Sequence, residues 1–161
     1  MRAVAALVGL LLVAAPATAA PLQLAPFKDE LFAYPRILEQ AYGGDVLVVE
    51  YDRQRDLLDR DEVERLKVRP EYVSLETRAV EVDTAVTADG RRVRFVAVGR
   101  QQNASAIVIF LHGRGTDRTA GADDWIHGGN FNRIKNLMMR NGGLYLSPDF
   151  GNFGRRGTAD I

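Results

Sequence analysis

Hydrophobic and polar positions alternate clearly in only part of this chain, and that part organises the reading. From Glu71 to Gly99, "EYVSLETRAVEVDTAVTADGRRVRFVAVG", apolar residues recur every second position on both sides of Ala88-Asp89-Gly90. Alternation interrupted by Asp-Gly predicts a β-hairpin. In its second arm Arg91, Arg92 and Arg94 stand against Val93, Phe95 and Val96, so one face is expected buried and the other wet. Ala106–Leu111 is apolar without alternation, which predicts a strand buried on both faces in the middle of a sheet. Further on, Asn130 is a plausible N-cap and Phe131, Ile134, Leu137 and Met138 share one helical face. Lys135 and Arg140 lie toward the C-terminal half, and Asn141-Gly142 stops the helix. "LYLSPDF" then predicts another short strand.

The earlier part is weaker in pattern. "FKDELFAYPRILEQ" has loosely helical spacing broken by Pro35 and suggests two short helical pieces; "DVLVVEY" (45–51) reads as a strand after a Gly43-Gly44 turn. "RDLLDRDEVERLKV", with Leu57, Leu58, Val63 and Leu66 among charges, reads as a short amphipathic helix with a solvated face. Hairpin, apolar strand, helix and strand in that order imply an α/β class, with parallel strands joined by a right-handed crossover helix. There is no internal repeat and no low-complexity linker, so one folding unit is expected.

Composition changes this picture in three ways. With 21 basic and 21 acidic side chains in 161 residues, no electrostatic reason exists to expect nucleic acid as a partner. The opening "MRAVAALVGLLLVAAPATAAP" joins Arg2, an apolar run and Ala17-Thr18-Ala19, which is how a secretory signal peptide reads. Residues 1–19 are assigned to it, with cleavage after Ala19 or Ala20. The run is shorter than the roughly 20 residues of a spanning helix, so no stable membrane span is expected once it is removed. A periplasmic or secreted protein is the expectation. The chain has no cysteine, so neither disulfides nor thiolate metal ligands can stabilise it. The sequon Asn103-Ala104-Ser105 reads as coincidental beside a bacterial-looking signal.

The candidate chemistry lies where the apolar strand stops. "AIVIFLHGRGTDRT" ends on His112-Gly113-Arg114-Gly115, and two glycines around an arginine free the backbone for a close approach. A hairpin, a strand ending in His-Gly-x-Gly, a helix and a further strand resemble the third strand and oxyanion loop of the α/β-hydrolase superfamily. The resemblance covers about residues 75 to 161, and 20–161 would be the N-terminal part of such a domain. It implies that the Arg114 backbone N–H is an oxyanion donor, that Gly113 and Gly115 admit the substrate carbonyl, and that His112 ties the loop together. The implied substrate is a small-molecule or lipid-like ester, and no cofactor or metal is called for.

Other readings of the same residues are weaker. "GRGTDRT" lacks the lysine of a phosphate-binding loop. His112, His127, Asp117, Asp123 and Asp124 lack metal-ligand spacing, and the aspartates are expected to cap turns. Neither nucleophile nor base of a hydrolase triad is present: Ser74, Ser105 and Ser147 do not stand between glycines, and no histidine follows His127. Ser147-Pro148-Asp149-Phe150-Gly151 loosely fits an elbow with an aspartate nucleophile, but a turn shaped by Pro148 and Gly151 is the better reading. Thr158 would cap a further helix, so the chain is expected to be the first part of a longer hydrolase. The expectation is thus an exported serine hydrolase acting by acyl transfer on an ester-like bond, inactive as 161 residues alone. The alternative is an exported binding protein without catalysis.

Overall fold

The computed structural model describes Leu24 and residues 35–151. The signal segment and Thr158 therefore lie outside the described residues. Among the described residues there are three separate sheets. The strands β1 (Ile37–Ala41) and β2 (Val46–Val49) form one hairpin, and the short strands β3 (Asp61–Glu62) and β4 (Lys67–Val68) form a second. The third sheet holds β5 (Glu81–Ala88), β6 (Arg91–Gly99), β7 (Ile107–Ile109) and β8 (Leu144–Pro148), in the spatial order β5-β6-β8-β7. Between β7 and β8 lie the helices α1 (Arg118–Ala122) and α2 (Asn130–Arg140).

The long hairpin forms where alternation and Asp-Gly place it. Asp89 (φ +50°) and Gly90 (φ +74°) are both left-handed, the conformation that matches the twist of two strands joined by a two-residue turn. Ala88 pairs with Arg91 and Glu81 with Val98, without a register shift. The expected strand after Gly43-Gly44 is also present as β2, and the expected helix is α2, although its N-cap is the left-handed Gly129 and Asn130, expected as the cap, is its first helical residue.

The core lies between α2 and one face of the third sheet. Val98 of β6, Tyr145 of β8 and Met138 of α2 are fully buried together, with Val108, Phe110, Ile134 and Leu137 packed around them. The Tyr145 hydroxyl donates to the Gly121 carbonyl at 2.8 Å, which satisfies its buried polar tip and ties α1 to the same face.

Several expectations are overturned. Among the described residues four of the five strand pairings are antiparallel and only β7–β8 is parallel, so the expected α/β class of parallel strands with crossover helices is wrong. The protein is instead an assembly of small antiparallel and mixed sheets. Hairpins dominate because short strands lie near each other in sequence and close with turns of two to four residues. The segment containing "RDLLDRDEVERLKV" is not a helix: one π-type turn (Gln54–Leu58) is followed by the β3–β4 hairpin, with Leu66 left-handed at φ +53° near its tip. Ile37–Gln40, expected as helical, belongs to β1.

The apolar strand is not central either. β7 is the edge of its sheet, where Ile107, Ile109 and Leu111 are 59%, 47% and 44% exposed. Alternate residues Val108 and Phe110 face α2, while the odd-numbered ones face the side of the sheet opposite the helix. Composition alone cannot distinguish two covered faces from one covered and one bare.

Candidate functional site

The His-Gly-Arg-Gly segment leaves the sheet immediately after Phe110, whose N–H makes the last rung with the Leu146 carbonyl at 2.8 Å. His112 is buried directly behind the loop, its ring stacked on Phe150 with centroids 4.4 Å apart. Its Nδ1 lies 3.0 Å from the Gly113 carbonyl oxygen, and the Phe150 backbone N–H donates to its Nε2 at 3.2 Å. A carbonyl can only accept and an amide N–H can only donate. The imidazole is therefore neutral, with its proton on Nδ1.

The Gly113 carbonyl also accepts from the Thr116 Oγ1 at 2.9 Å and the Thr116 N–H at 3.3 Å. Three donors thus hold one carbonyl oxygen. A trans peptide is planar, and its C=O and following N–H point in opposite directions. Holding the Gly113 oxygen inward therefore turns the Arg114 N–H outward. Among the described residues neither Arg114 N–H nor Gly115 N–H has a partner, and residues 113–117 are exposed. Gly115 is left-handed at φ +83°, which explains a glycine there. Gly113 has no such φ, and a Cβ added to it would meet nothing within 4 Å; its lack of a side chain keeps the space above the loop open. The loop offers exposed backbone donors, an arrangement suited to an oxyanion or a polarised carbonyl.

Behind the loop stands a residue that sequence reasoning missed. Arg118, in the first turn of α1, is only 7% exposed and bonds two carboxylates: Asp83 of β5 at 2.8 and 3.0 Å, and Asp149 at 3.0 Å. Its backbone N–H donates to Asp149 as well, at 2.8 Å, and its carbonyl accepts from the buried Ser147 hydroxyl at 2.7 Å. The Arg118 guanidinium holds the Asp83 carboxyl below the usual range, and Asp83 in turn raises the arginine. Asp149, weighed above as a nucleophile, is bound through both oxygens.

A second polar cluster lies under α2. Lys135, fully buried, places Nζ 2.8 Å from Glu81 and 2.8 Å from Asp124. Asn132 donates to the same Asp124 oxygen at 2.8 Å and to the Ser74 carbonyl at 2.7 Å, and Arg78 reaches the other Asp124 oxygen at 3.1 Å. Burial pushes the Asp124 carboxyl up, but bonds from Lys135, Asn132 and Arg78 outweigh it and hold the group low. A signal for Lys135 was available: Phe131, Lys135 and Met138 stand at i, i+4 and i+7, which puts the lysine on the apolar stripe.

The remaining candidate residues are dispersed. Asp117 caps α1, and the bonds it accepts from the Thr119 hydroxyl and N–H hold its carboxyl low; Asp123 accepts from the Trp125 and Ile126 N–H groups. His127 is exposed, its ring edge-on to Phe131. No cluster of three or more metal-ligating side chains occurs among the described residues. The Ser105 hydroxyl donates to the Asn141 carbonyl, and Ser74 meets Asn132 through its backbone. Two open grooves of about 440 and 480 Å³ flank Val63 on the β3–β4 hairpin and share no residue with the loop.

No family model, curated protein or solved structure matches the chain. Among the described residues no helix is long and apolar enough to cross a membrane. What can be said of function therefore comes from the loop itself.

Proposed function

We propose that the loop Gly113–Gly115 is the oxyanion-binding element of an exported serine hydrolase that acts by acyl transfer on an ester-like bond. The observation that carries this reading is the peptide between Gly113 and Arg114, whose carbonyl is held by His112 and Thr116 and whose N–H faces outward without a partner among the described residues. Donors fixed in advance toward the place where negative charge develops are what acyl transfer requires. The reading rests on this loop and on its likeness to the hydrolase motif; the sheet class contributes nothing to it. A small-molecule or lipid-like ester is the matching substrate class.

The donor is a backbone group, which makes the test specific. In any form of the protein that turns over an ester, Arg114→Ala keeps the N–H and is expected to lower kcat/KM only modestly. Arg114→Pro removes it and is expected to cost on the order of 10²- to 10³-fold. Both variants must melt like the parent for the comparison to count. Equal activity of the two folded variants would show that the loop is a turn and nothing more.

The 161-residue chain is expected not to hydrolyse p-nitrophenyl acetate above background. The Ser105 and Ser147 hydroxyls are spent on backbone carbonyls, and Asp149 is held by Arg118. The same three observations favour the second reading, an exported binding protein without catalysis. Turnover abolished by Asp149→Asn would refute both the expected inactivity and that second reading, and make the aspartate a nucleophile.

A further inference from the structure

A buried arginine joined to two partly exposed aspartates needs a reason, because its own charge has been taken out of water. One explanation is a staple between β5 and the end of β8. That accounts for Asp83 and Asp149 equally. The bonding is unequal, however: Asp83 receives guanidinium N–H groups only, whereas Asp149 receives the guanidinium on one oxygen and the Arg118 backbone N–H on the other. The next residue after Asp149 is Phe150, whose N–H selects the His112 tautomer and whose ring stacks on the imidazole.

We infer that Arg118 is a positioning residue for the oxyanion loop, acting through Asp149, Phe150 and His112 on the Gly113 carbonyl. This rests on the function proposed above. The chain of cause is short. Two bonds from Arg118 fix the Asp149 carboxylate, and the Asp149 N–H is fixed in turn by the Arg94 carbonyl at 2.8 Å. Asp149 is thereby held at both its backbone and its side chain, and the adjoining Phe150 N–H is aimed at His112 Nε2. An acceptor role at Nε2 leaves the ring proton on Nδ1, where it holds the Gly113 oxygen. Peptide planarity then carries that constraint to the Arg114 N–H. Without the Phe150 bond, either ring nitrogen could carry the proton, and the Nε2–H form cannot donate to Gly113.

Matched substitutions separate this wiring from a staple. Asp149→Ala and Asp83→Ala each remove one carboxylate from the same guanidinium. The measurement is the pair of ring ¹⁵N shifts of His112 at about pH 8, where an ordinary histidine is neutral, together with exchange of the Phe150 amide. Wild type is expected to show the Nδ1–H tautomer and a protected amide. Asp149→Ala is expected to mix the tautomers and to speed Phe150 exchange about tenfold, the loss of one ordinary hydrogen bond. Asp83→Ala is expected to leave both as in wild type. Should Asp149→Ala not fold, Asp149→Asn replaces it with the same direction of change. The inference is overturned if the two positions disturb His112 alike, or if neither does. These readouts need no turnover. Failure of the Arg114 comparison would remove the hydrolase reading while leaving the Arg118 wiring to stand or fall on the spectra.

Discussion

Lys135→Met is the substitution that tests the structure most severely, because it keeps the shape of a fully buried side chain and removes only its charge. Methionine can occupy the space of the lysine stem, so little cavity is made and the cost is electrostatic. Removing one partner from a buried ion pair costs about 3–5 kcal/mol, since the charge left behind is uncompensated. Two carboxylates are left here, and they differ. Glu81 is 28% exposed at its side chain and can rehydrate, whereas Asp124 is 4% exposed and cannot. Asp124 does keep Asn132 and Arg78, so the lower end, about 3 kcal/mol at pH 7, is expected. Urea unfolding followed by the fluorescence of Trp125, the only tryptophan, measures it.

The pH dependence carries a second signature of the same substitution. In wild type the Asp124 carboxyl is held low, so its stabilising contribution is present above the ordinary unfolded value of about 3.9 and is lost as pH falls through the folded value. In Lys135→Met, burial acts on Asp124 with one opposing partner fewer, and its carboxyl rises. Protonation then relieves the buried charge, and the gap between variant and wild type should narrow from pH 7 toward pH 4. A loss below about 1 kcal/mol at pH 7, or a loss equal at both pH values, would refute the reading of Lys135 as the counter-charge of this cluster.

Other consequences are simpler to check. Gly121→Ala should lower stability by about 1–3 kcal/mol despite alanine's better helix propensity, because a Cβ there would press on Phe110, Ser147 and the Tyr145 hydroxyl; a thermal melt decides it, with Gly113→Ala, which meets nothing within 4 Å, as the near-neutral control. Asp83, held low by Arg118, supplies stability above about pH 3.9 that is lost on further acidification, so Asp83→Asn should cost more at pH 7 than at about pH 2.5; equal costs would contradict the assignment. Exported protein is expected to begin at Ala20 or Pro21, and mass spectrometry finding Met1 retained would exclude the signal-peptide reading.

Local chemistry was legible wherever neighbours in sequence decide the outcome. Asp89-Gly90 specifies the long hairpin because only left-handed residues close that turn, and the spacing of Phe131, Ile134, Leu137 and Met138 specifies α2 because one face must meet the core. The arrest of an apolar strand on His112-Gly113-Arg114-Gly115 marked the loop for the same reason. Sheet order was not legible. Whether Ile107–Ile109 sits at the centre or the edge depends on which strand lies beside it, and β8 arrives from 35 residues further along the chain. Nor could charge patterning distinguish a solvated helix from the β3–β4 hairpin, since both expose the same side chains. The polar interior was the hardest to foresee. Lys135 and Arg118 are residues that composition assigns to the surface, and they are buried because Glu81, Asp124, Asp83 and Asp149 come from distant segments to meet them. Charge compensation of that kind exists only once the chain has folded.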